Sequence, residues 1–453
     1  SGSLHITGNN ATTNAGTFVL NAPQYYTGTT YLVGGPQVVD NAKAILQLRG
    51  GTNVIPTSLN FGEEGKTGLM GKLVLGNNDG PSHLSLTTLN IAETSGDFSI
   101  VGGNNNSSNL TLNLSADITL NSFLGGNGTH ENNLNLIKND NQTLTIQGTN
   151  TYTGTTAINA GTLKLLGNIN SAVTVASGAT ITGTGSTGNL NINDGAKFIP
   201  GNNGAGTFST GALNLANNGE LHFDIGDQSD LVTVNGNLSL NGKLIVTAGA
   251  GYKAGEYQIF SHTGNVANNL RVEPLPEGYS AKIETRSGKV FLLIYDNFYW
   301  DTQEDEGIQP ASGTWGTDNF WTRNGTSLRD WPGRPSNAFF TGTDGEAGEY
   351  LITVNSTQEV GNIVFESNGY KLSGDTIKLE PDATITGTAG KSLSIESVVH
   401  GDGGISLLKT GGGSKTVVEF LNANNSFTGP LVLGPDTRLN FTYFTDGGSN
   451  SSL

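Results

Sequence analysis

The chain has 453 residues, a formal charge of −16 and no cysteine. The negative charge disfavours nucleic acid and anionic membranes as partners, and the missing cysteine excludes disulfide scaffolds, cysteine-ligated zinc and cysteine nucleophiles. Glycine contributes 66 residues whereas charged residues make up only 13%, a composition typical of short β-strands punctuated by turns. No apolar run reaches the ~20 residues of a membrane helix, so no membrane contact is predicted within this fragment.

Short strands are predicted along the whole chain, with apolar residues alternating with Thr, Ser or Asn and with Gly, Asn or Asp at the turns. Alternation with a period of two gives each strand one buried and one exposed face. The clearest examples are Leu110–Leu120, Ala172–Gly183, Asn189–Gly201, Leu231–Thr247 and Thr376–Gly387. The asparagines can also form amide ladders where strands stack.

One phrase returns three times, at Tyr25–Gly35, Thr151–Gly167 and Ser426–Phe441. Each copy has an aromatic residue, Thr and Gly, followed by a short apolar run. Strand and turn units of this size also occur in sandwiches and barrels. The chain length, the diffuse repetition and the lack of an amphipathic helical pattern favour a parallel β-helix, in which each coil stacks on the previous one.

The middle copy belongs to an ordered series of phrases: "TYTGTTAINAGTLKL", a "SGAT" turn, "PGN" at Pro200–Asn202 and "GALNL". This series resembles the passenger-associated β-strand repeat of bacterial autotransporters (type V secretion), with the match extending over residues 135–296. The resemblance implies a right-handed parallel β-helix that is displayed on the cell surface or secreted, and an adhesin or stalk rather than an enzyme. It also implies that the parent chain carries a translocator β-barrel. The third copy departs from the pattern, because Pro430 stands where the middle copy has Thr155.

A Trp- and Pro-rich segment interrupts the repetition and divides the chain into three predicted parts. These are a β-helix segment at 1–296, a cap or junction at 297–340 and a second β-helix segment at 341–453. All four tryptophans, Trp300, Trp315, Trp321 and Trp331, lie in this interruption. They are interpreted either as a cap on an open coil end or as a ligand-binding aromatic platform for an extracellular glycan or host protein.

Catalytic constellations are missing from the sequence, so no catalytic residue and no cofactor is predicted. Asp224, Asp227 and Asp230 form the best local cluster of carboxylates, spaced around a turn. They are interpreted as turn residues that accept backbone hydrogen bonds, with a calcium site as the alternative. The predicted function is therefore a non-enzymatic adhesin or stalk. A β-helical polysaccharide lyase or hydrolase and a passive spacer remain the alternatives.

Overall fold

The computed structural model describes residues 2–7, 17–34, 44–92, 96–121, 123–304 and 307–442. Within these ranges every regular element is a β-strand, and no helix there is long and apolar enough to cross a membrane. Strands of successive coils pair in parallel. The predicted all-β parallel solenoid is therefore confirmed.

The strands follow one another at short intervals throughout the described ranges. The first twelve are β1 Leu4–Ile6, β2 Thr17–Leu20, β3 Thr30–Leu32, β4 Ala44–Leu48, β5 Gly51–Thr52, β6 Ser58–Phe61, β7 Met70–Leu75, β8 Ser82–Leu86, β9 Thr88–Ile91, β10 Asp97–Gly102, β11 Ser108–Leu112 and β12 Ile118–Asn121. The next nineteen are β13 Leu134–Lys138, β14 Thr143–Gln147, β15 Thr149–Asn150, β16 Thr155–Ile158, β17 Thr162–Leu165, β18 Asn168–Ile169, β19 Ala172–Val175, β20 Thr180–Gly183, β21 Leu190–Ile192, β22 Lys197–Pro200, β23 Thr207–Thr210, β24 Leu213–Leu215, β25 Glu220–Ile225, β26 Leu231–Val234, β27 Leu238–Leu240, β28 Lys243–Ala248, β29 Gly255–His262, β30 Val266–Asn268 and β31 Arg271–Val272. The last eighteen are β32 Tyr279–Arg286, β33 Lys289–Trp300, β34 Gly313–Trp315, β35 Trp321–Thr322, β36 Ser336–Phe340, β37 Tyr350–Val354, β38 Gln358–Val360, β39 Ile363–Phe365, β40 Tyr370–Gly374, β41 Thr376–Leu379, β42 Ala383–Thr388, β43 Ser392–Ile395, β44 Val398–Gly401, β45 Ile405–Thr410, β46 Thr416–Phe420, β47 Ser426–Phe427, β48 Leu431–Leu433 and β49 Thr437–Phe441.

The first of two compact units comprises Ser1–Tyr252, Gln258–Glu273 and Ile283–Phe291. It contains a ten-stranded sheet in the order β5-β8-β11-β13-β16-β19-β21-β24-β27-β30 and an eight-stranded sheet in the order β12-β14-β17-β20-β22-β25-β28-β31. Each step joins a strand to its equivalent in the next coil. Leu144 thus pairs with Leu163, which pairs with Ile181, and the buried side chains form a continuous ladder.

The second unit comprises Lys253–Tyr257, Pro274–Lys282 and Leu292–Leu453, and it includes the whole predicted junction at 297–340. Its sheets follow the orders β34-β37-β40-β43-β46-β49 and β38-β41-β44-β47, together with the run β33-β36-β39-β42-β45-β48. Strand β35 instead runs antiparallel to β33 and pairs Trp321 with Trp300. Strand β38 is the edge of its sheet.

Alternating burial builds the core, as the sequence pattern predicts. In β14, Leu144 and Ile146 are buried whereas the threonines and glutamine between and beside them are partly exposed. Side chains of adjacent strand residues point to opposite faces, so each strand contributes its apolar residues to the interior and its polar residues to the outside.

Glycine allows close approaches between coils, and asparagine forms hydrogen-bonded ladders across them. Gly183 has a φ of +125°, and a Cβ there would lie 1.9 Å from the carbonyl oxygen of Leu165, so only glycine fits this close approach between coils. The predicted amide ladders are confirmed at Asn135, whose Nδ2 donates to Asn109 Oδ1 at 2.8 Å. Asn269 donates to Asn241 in the same way, at 2.9 Å.

The repeated phrase packs around a buried tyrosine. The hydroxyl of Tyr152 lies 2.6 Å from Thr156 Oγ1, which lies 2.8 Å from Ser171 Oγ. The chain of hydroxyls continues to the carbonyl oxygen of Gly154, to which Ser171 donates at 2.7 Å. Tyr152 is fully buried, so these bonds satisfy polar atoms that water cannot reach.

Candidate functional site

The four tryptophans of the 297–340 segment pack against one another. Trp321 stands at the centre, with ring centroids 4.5 Å from Trp331, 4.9 Å from Trp315 and 5.3 Å from Trp300. Trp300, Trp315 and Trp321 are 0% exposed, and Trp331 is partly buried against the same core cluster. These rings form the interior of the second unit at its first strands.

Two of the indoles also bind main-chain carbonyl groups. Trp300 Nε1 donates to the carbonyl oxygen of Ala311 at 3.0 Å, which holds the loop between β33 and β34 in place. Trp331 Nε1 donates to the carbonyl oxygen of Glu359 at 3.0 Å, and Glu359 lies in the edge strand β38. An edge strand presents unpaired main-chain groups, and Trp331 covers one of them.

This arrangement supports the cap interpretation of the segment. Side chains that fill the start of a stack and bond to its edge strand perform the task that the end of a solenoid requires. A ligand cannot reach Trp300, Trp315 or Trp321 while they are packed in this way. Ligand binding by the four tryptophans stays a prediction.

Two aromatic residues of the same segment face outward. Tyr299 in β33 pairs with Phe339 in β36, and their ring centroids lie 4.8 Å apart with planes inclined by 39°. Both side chains are partly exposed, whereas their strand neighbours Phe298, Trp300 and Phe340 are buried.

The outward pair continues as a row across the following coils. Phe339 pairs with Val364, Val364 with Thr386, and Thr386 with Leu408. Leu408 is exposed, and Val364 and Thr386 are partly exposed. We call the row of Tyr299, Phe339, Val364, Thr386 and Leu408 the outer ridge.

The electrostatic surroundings of the outer ridge are acidic at its aromatic end. The pKa of Tyr299 is raised by partial burial first, and then by the negative charges of Glu366 and Glu277. Its hydroxyl therefore stays protonated and neutral near pH 7, able to donate and accept hydrogen bonds.

Sequence reasoning missed Tyr299 and Phe339 because it weighed tryptophans above other aromatic residues. A usable signal was present in the adjacent aromatics "FYW" at Phe298–Trp300 and "FF" at Phe339–Phe340. Adjacent residues of a strand point to opposite faces, so a run of aromatic residues in a strand must place at least one of them outside.

The acidic turn of the first unit, Asp224 to Asp230, has a structural role, because Asp230 joins two parts of the main chain and acts as a clamp between them. The carboxylate of Asp230 accepts from the main-chain N–H of Gly206 and of Asp224, each at 2.7 Å. Burial raises the pKa of Asp230 to about 6, although these two bonds act in the opposite direction. Asp227 donates its own N–H to the carbonyl oxygen of Ala250. In the described part of the chain, no group of three or more His, Asp or Glu side chains is arranged to hold a metal ion.

A contact between a serine, a histidine and an aspartate occurs on the surface of the second unit. His400 lies 2.8 Å from Ser426 Oγ through Nδ1 and 3.2 Å from Asp402 Oδ1 through Nε2. His400 and Ser426 are paired neighbours on outward strand positions, and Lys378 forms an ion pair with Asp402 at 3.4 Å. Ser426 and Asp402 are exposed, and His400 is partly exposed. We interpret these contacts as cross-coil surface bonds.

Comparison with known proteins agrees with this architecture. Residues 136–165 match the family described as passenger-associated-transport-repeat, a segment that includes β14, β16, β17 and the Tyr152 packing. The chain is also similar to the adhesin BmaC autotransporter of Brucella suis biovar 1 (strain 1330), at 31% identity over 230 residues. That alignment covers 47% of this chain and 6% of the relative, so the match spans a small part of that protein.

Autotransporter passengers are displayed on the cell surface or secreted. Residues 136–165 thus match a passenger-associated-transport-repeat, and the relative and the stacked parallel strands support an autotransporter passenger segment, displayed on the cell surface or secreted.

Proposed function

We propose that this segment is a non-enzymatic, adhesin-like passenger that presents its outward side chains to extracellular glycans or proteins. The observation that carries the proposal is the 31% identity to an autotransporter adhesin over 47% of the chain. The proposal concerns this segment, since the alignment covers 6% of the relative.

The geometry of the coils supports a role in presentation. Apolar residues occupy the interior, and each strand is paired to its equivalent in the next coil. Outward residues therefore form rows across the coils, in which successive residues lie about 4.8 Å apart. One such row runs through Thr174, Asn191, Asn214 and Ser239. Rows of side chains held at a fixed spacing suit the binding of an extended ligand.

We propose further that residues 297–340 cap the β-helix segment at 341–453. The buried tryptophans and the bond from Trp331 to the edge strand β38 support this role.

The binding function can be tested with the full 453-residue chain coupled to beads. We expect retention on a glycan array or on immobilised extracellular glycoproteins, with an unrelated acidic protein of similar charge as the control. Binding that survives enzymatic removal of the glycans would indicate a protein partner. Retention no greater than that of the control on every surface would contradict the proposal and favour a passive spacer.

The enzyme alternative needs its own measurement. The chain is incubated with neutral and acidic polysaccharides, with and without calcium, and new reducing ends and unsaturated sugars are quantified. We expect none above the protein-free control. Calcium-dependent release that is lost in Asp224→Asn, Asp227→Asn or Asp230→Asn would establish the enzyme reading instead.

A further inference from the structure

The outer ridge differs from the outward row of the ten-stranded sheet in the first unit. This row consists mainly of small polar residues, among them Thr174, Asn191, Asn214 and Ser239. The outer ridge instead begins with two aromatic rings in contact and continues with Val364, Thr386 and Leu408. An apolar row on the outside of a strand has no role in the core and therefore needs another explanation.

The chemistry of the ridge fits the face of a sugar ring. A pyranose presents C–H groups on its faces and hydroxyl groups around its edge, so it can stack on an aromatic ring while hydrogen-bonding to nearby polar atoms. Tyr299 and Phe339 supply two such rings, and tyrosine combines a rigid apolar surface with a polar end. The Tyr299 hydroxyl, the Glu366 carboxylate and the Thr386 hydroxyl supply polar atoms along the row.

The spacing of the ridge fits a chain of sugars rather than a single one. Its five residues belong to five consecutive strands, β33, β36, β39, β42 and β45, so it extends over four strand spacings, on the order of 19 Å. One sugar ring per coil would place successive rings over successive ridge residues. The ligand would then run across the strands, along the direction in which the coils stack.

The charges select the class of glycan. Glu366 and Glu277 act on Tyr299, and the whole chain carries a formal charge of −16. Sulfated or sialylated glycans would be repelled by this field. A neutral glycan meets no such penalty, and its hydroxyl groups can donate to the carboxylate of Glu366.

We infer that the outer ridge, centred on Tyr299 and Phe339, is a binding site for an extended neutral oligosaccharide. This inference rests on the proposed adhesin-like function and names the ligand class and the residues of that function.

The test compares the wild-type chain with Tyr299→Ala and Phe339→Ala on an array of neutral, sulfated and sialylated glycans. The matched control is Thr162→Ala/Thr180→Ala, which alters two paired, partly exposed residues of the first unit outside the outward row of the ten-stranded sheet. We expect the wild type and the control to bind neutral glycans equally. Each ridge variant should bind them with an affinity that is lower by about tenfold or more. Tryptophan fluorescence checks that the second unit is folded.

Two further measurements guard against a folding defect in the alanine variants. Tyr299→Thr keeps a residue suited to a strand and should lose binding in the same way. In the unaltered chain, a bound neutral oligosaccharide should slow hydrogen exchange in β33 and β36.

The affinity of the wild-type chain should also rise with oligosaccharide length and level off at about five sugars, because the ridge spans about four strand spacings.

The outcomes separate this inference from the proposed function. Glycan binding that is unchanged in both ridge variants would overturn the ridge while leaving the adhesin-like function intact. Binding to deglycosylated proteins alone, or a preference for sulfated or sialylated glycans, would overturn the ligand class. Binding to nothing on any surface would overturn both proposals.

Discussion

The repeat coils at 136–165 and the tryptophan-rich segment at 297–340 are packed in different ways. In the repeat, Leu144 has an equivalent neighbour in the next coil, and the polar residues bond across coils as the strands do. In the described part of the tryptophan-rich segment, Trp321 and Trp331 have no parallel partner in a following coil, whereas Trp315 and Phe339 do. One antiparallel strand, a loop and four indoles instead fill the start of the second unit.

The difference shows that position along a solenoid sets the size and variety of the residues. A coil with similar coils on both sides needs small, regular residues, because its neighbours complete its hydrogen bonds and its core. Strands β34 and β38 are the first of their sheets and lack one neighbour, so large side chains must cover the core and the strand edges there. Breaking one contact of each type should therefore affect the two units separately.

The largest effect is expected from Trp321→Ala. Trp321 is fully buried at the centre of the indole cluster, and removing a buried tryptophan costs about 3–5 kcal/mol. Urea unfolding followed by tryptophan fluorescence measures it, because all four tryptophans lie in the second unit. Far-ultraviolet circular dichroism should show the first unit unfolding at its usual urea concentration. A fluorescence midpoint equal to that of the wild type would show that the cluster does not stabilise this unit.

Lys138→Met should produce the next largest effect, in the first unit. Lys138 is 1% exposed, and its Nζ donates to Asp140 Oδ1 at 2.8 Å and to the carbonyl oxygen of Ala160 at 3.1 Å. Its loss leaves the buried carboxylate of Asp140 without its cation, at a cost of about 3 kcal/mol. Hydrogen exchange in peptides spanning 134–165 should accelerate, while tryptophan fluorescence unfolding stays unchanged.

Lys409→Met is the matched control, because the segment before the third phrase, Leu407–Asn425, has its lysine where the segment before the middle phrase, Leu136–Asn150, has Lys138. Lys409 pairs with Asp436 at 3.1 Å, and the Asp436 side chain is 57% exposed. Water can solvate Asp436 when the lysine is gone, so we expect a cost of about 1 kcal/mol or less. An equal loss of stability in Lys138→Met and Lys409→Met would show that burial of the aspartate does not set the cost of removing its lysine.

The raised pKa of Asp230 should make the stability of the first unit depend on pH. Burial raises its pKa to about 6 in the folded state, above the value of about 3.9 expected when unfolded. The protonated form is therefore favoured by folding, so its stabilising contribution is complete below about pH 4 and is lost as the pH rises through 6. The change is on the order of 2 kcal/mol. Urea midpoints by circular dichroism from pH 4 to pH 7 measure it.

The variant Asp230→Asn should flatten this part of the profile. Its amide has one acceptor oxygen for the two N–H groups that the carboxylate accepts at pH 7, so the variant should lose one of these bonds. A profile that keeps its slope in the variant would assign the pH dependence to another group.

The smallest effect is expected from Tyr152→Phe, at about 1 kcal/mol. The variant removes one hydroxyl from the buried chain of hydroxyl groups but leaves the hydrogen bond between Thr156 and Ser171. The pKa of Tyr152 is raised by burial to about 12, so its phenol should be missing from the absorbance titration near pH 10. The third phrase lacks both hydroxyls, having Phe427 and Leu431 at the equivalent places. If Phe is tolerated at no cost in the middle copy, the hydroxyl chain does not stabilise it.

Much of the scaffold follows from local patterns. Alternation in segments such as "TLTIQ" and "TLKL" predicts which residues enter the core, because strand geometry alone assigns them to opposite faces. The recurring phrase predicts stacking, and the asparagines predict ladders such as that of Asn109 and Asn135. These features need only a strand and a similar neighbouring coil.

The candidate site is harder to predict, since its residues depend on contacts between distant parts of the chain. Alternation within "FYW" leaves two choices of face, and the pairing of β33 with β36 decides that Tyr299 lies outside. Asp224, Asp227 and Asp230 share one turn, but only the position of Gly206 decides that Asp230 is the clamp.

Local sequence therefore predicts the repeating coil, the alternation that fills it and the family to which it is similar, because each depends on residues within one coil and its copy. Tertiary structure decided that Trp300, Trp315 and Trp321 are interior residues and that Tyr299 and Phe339 form an outward pair. The physical reason is that the burial of a large side chain is set by the strands and loops that pack over it, and these come from other parts of the chain.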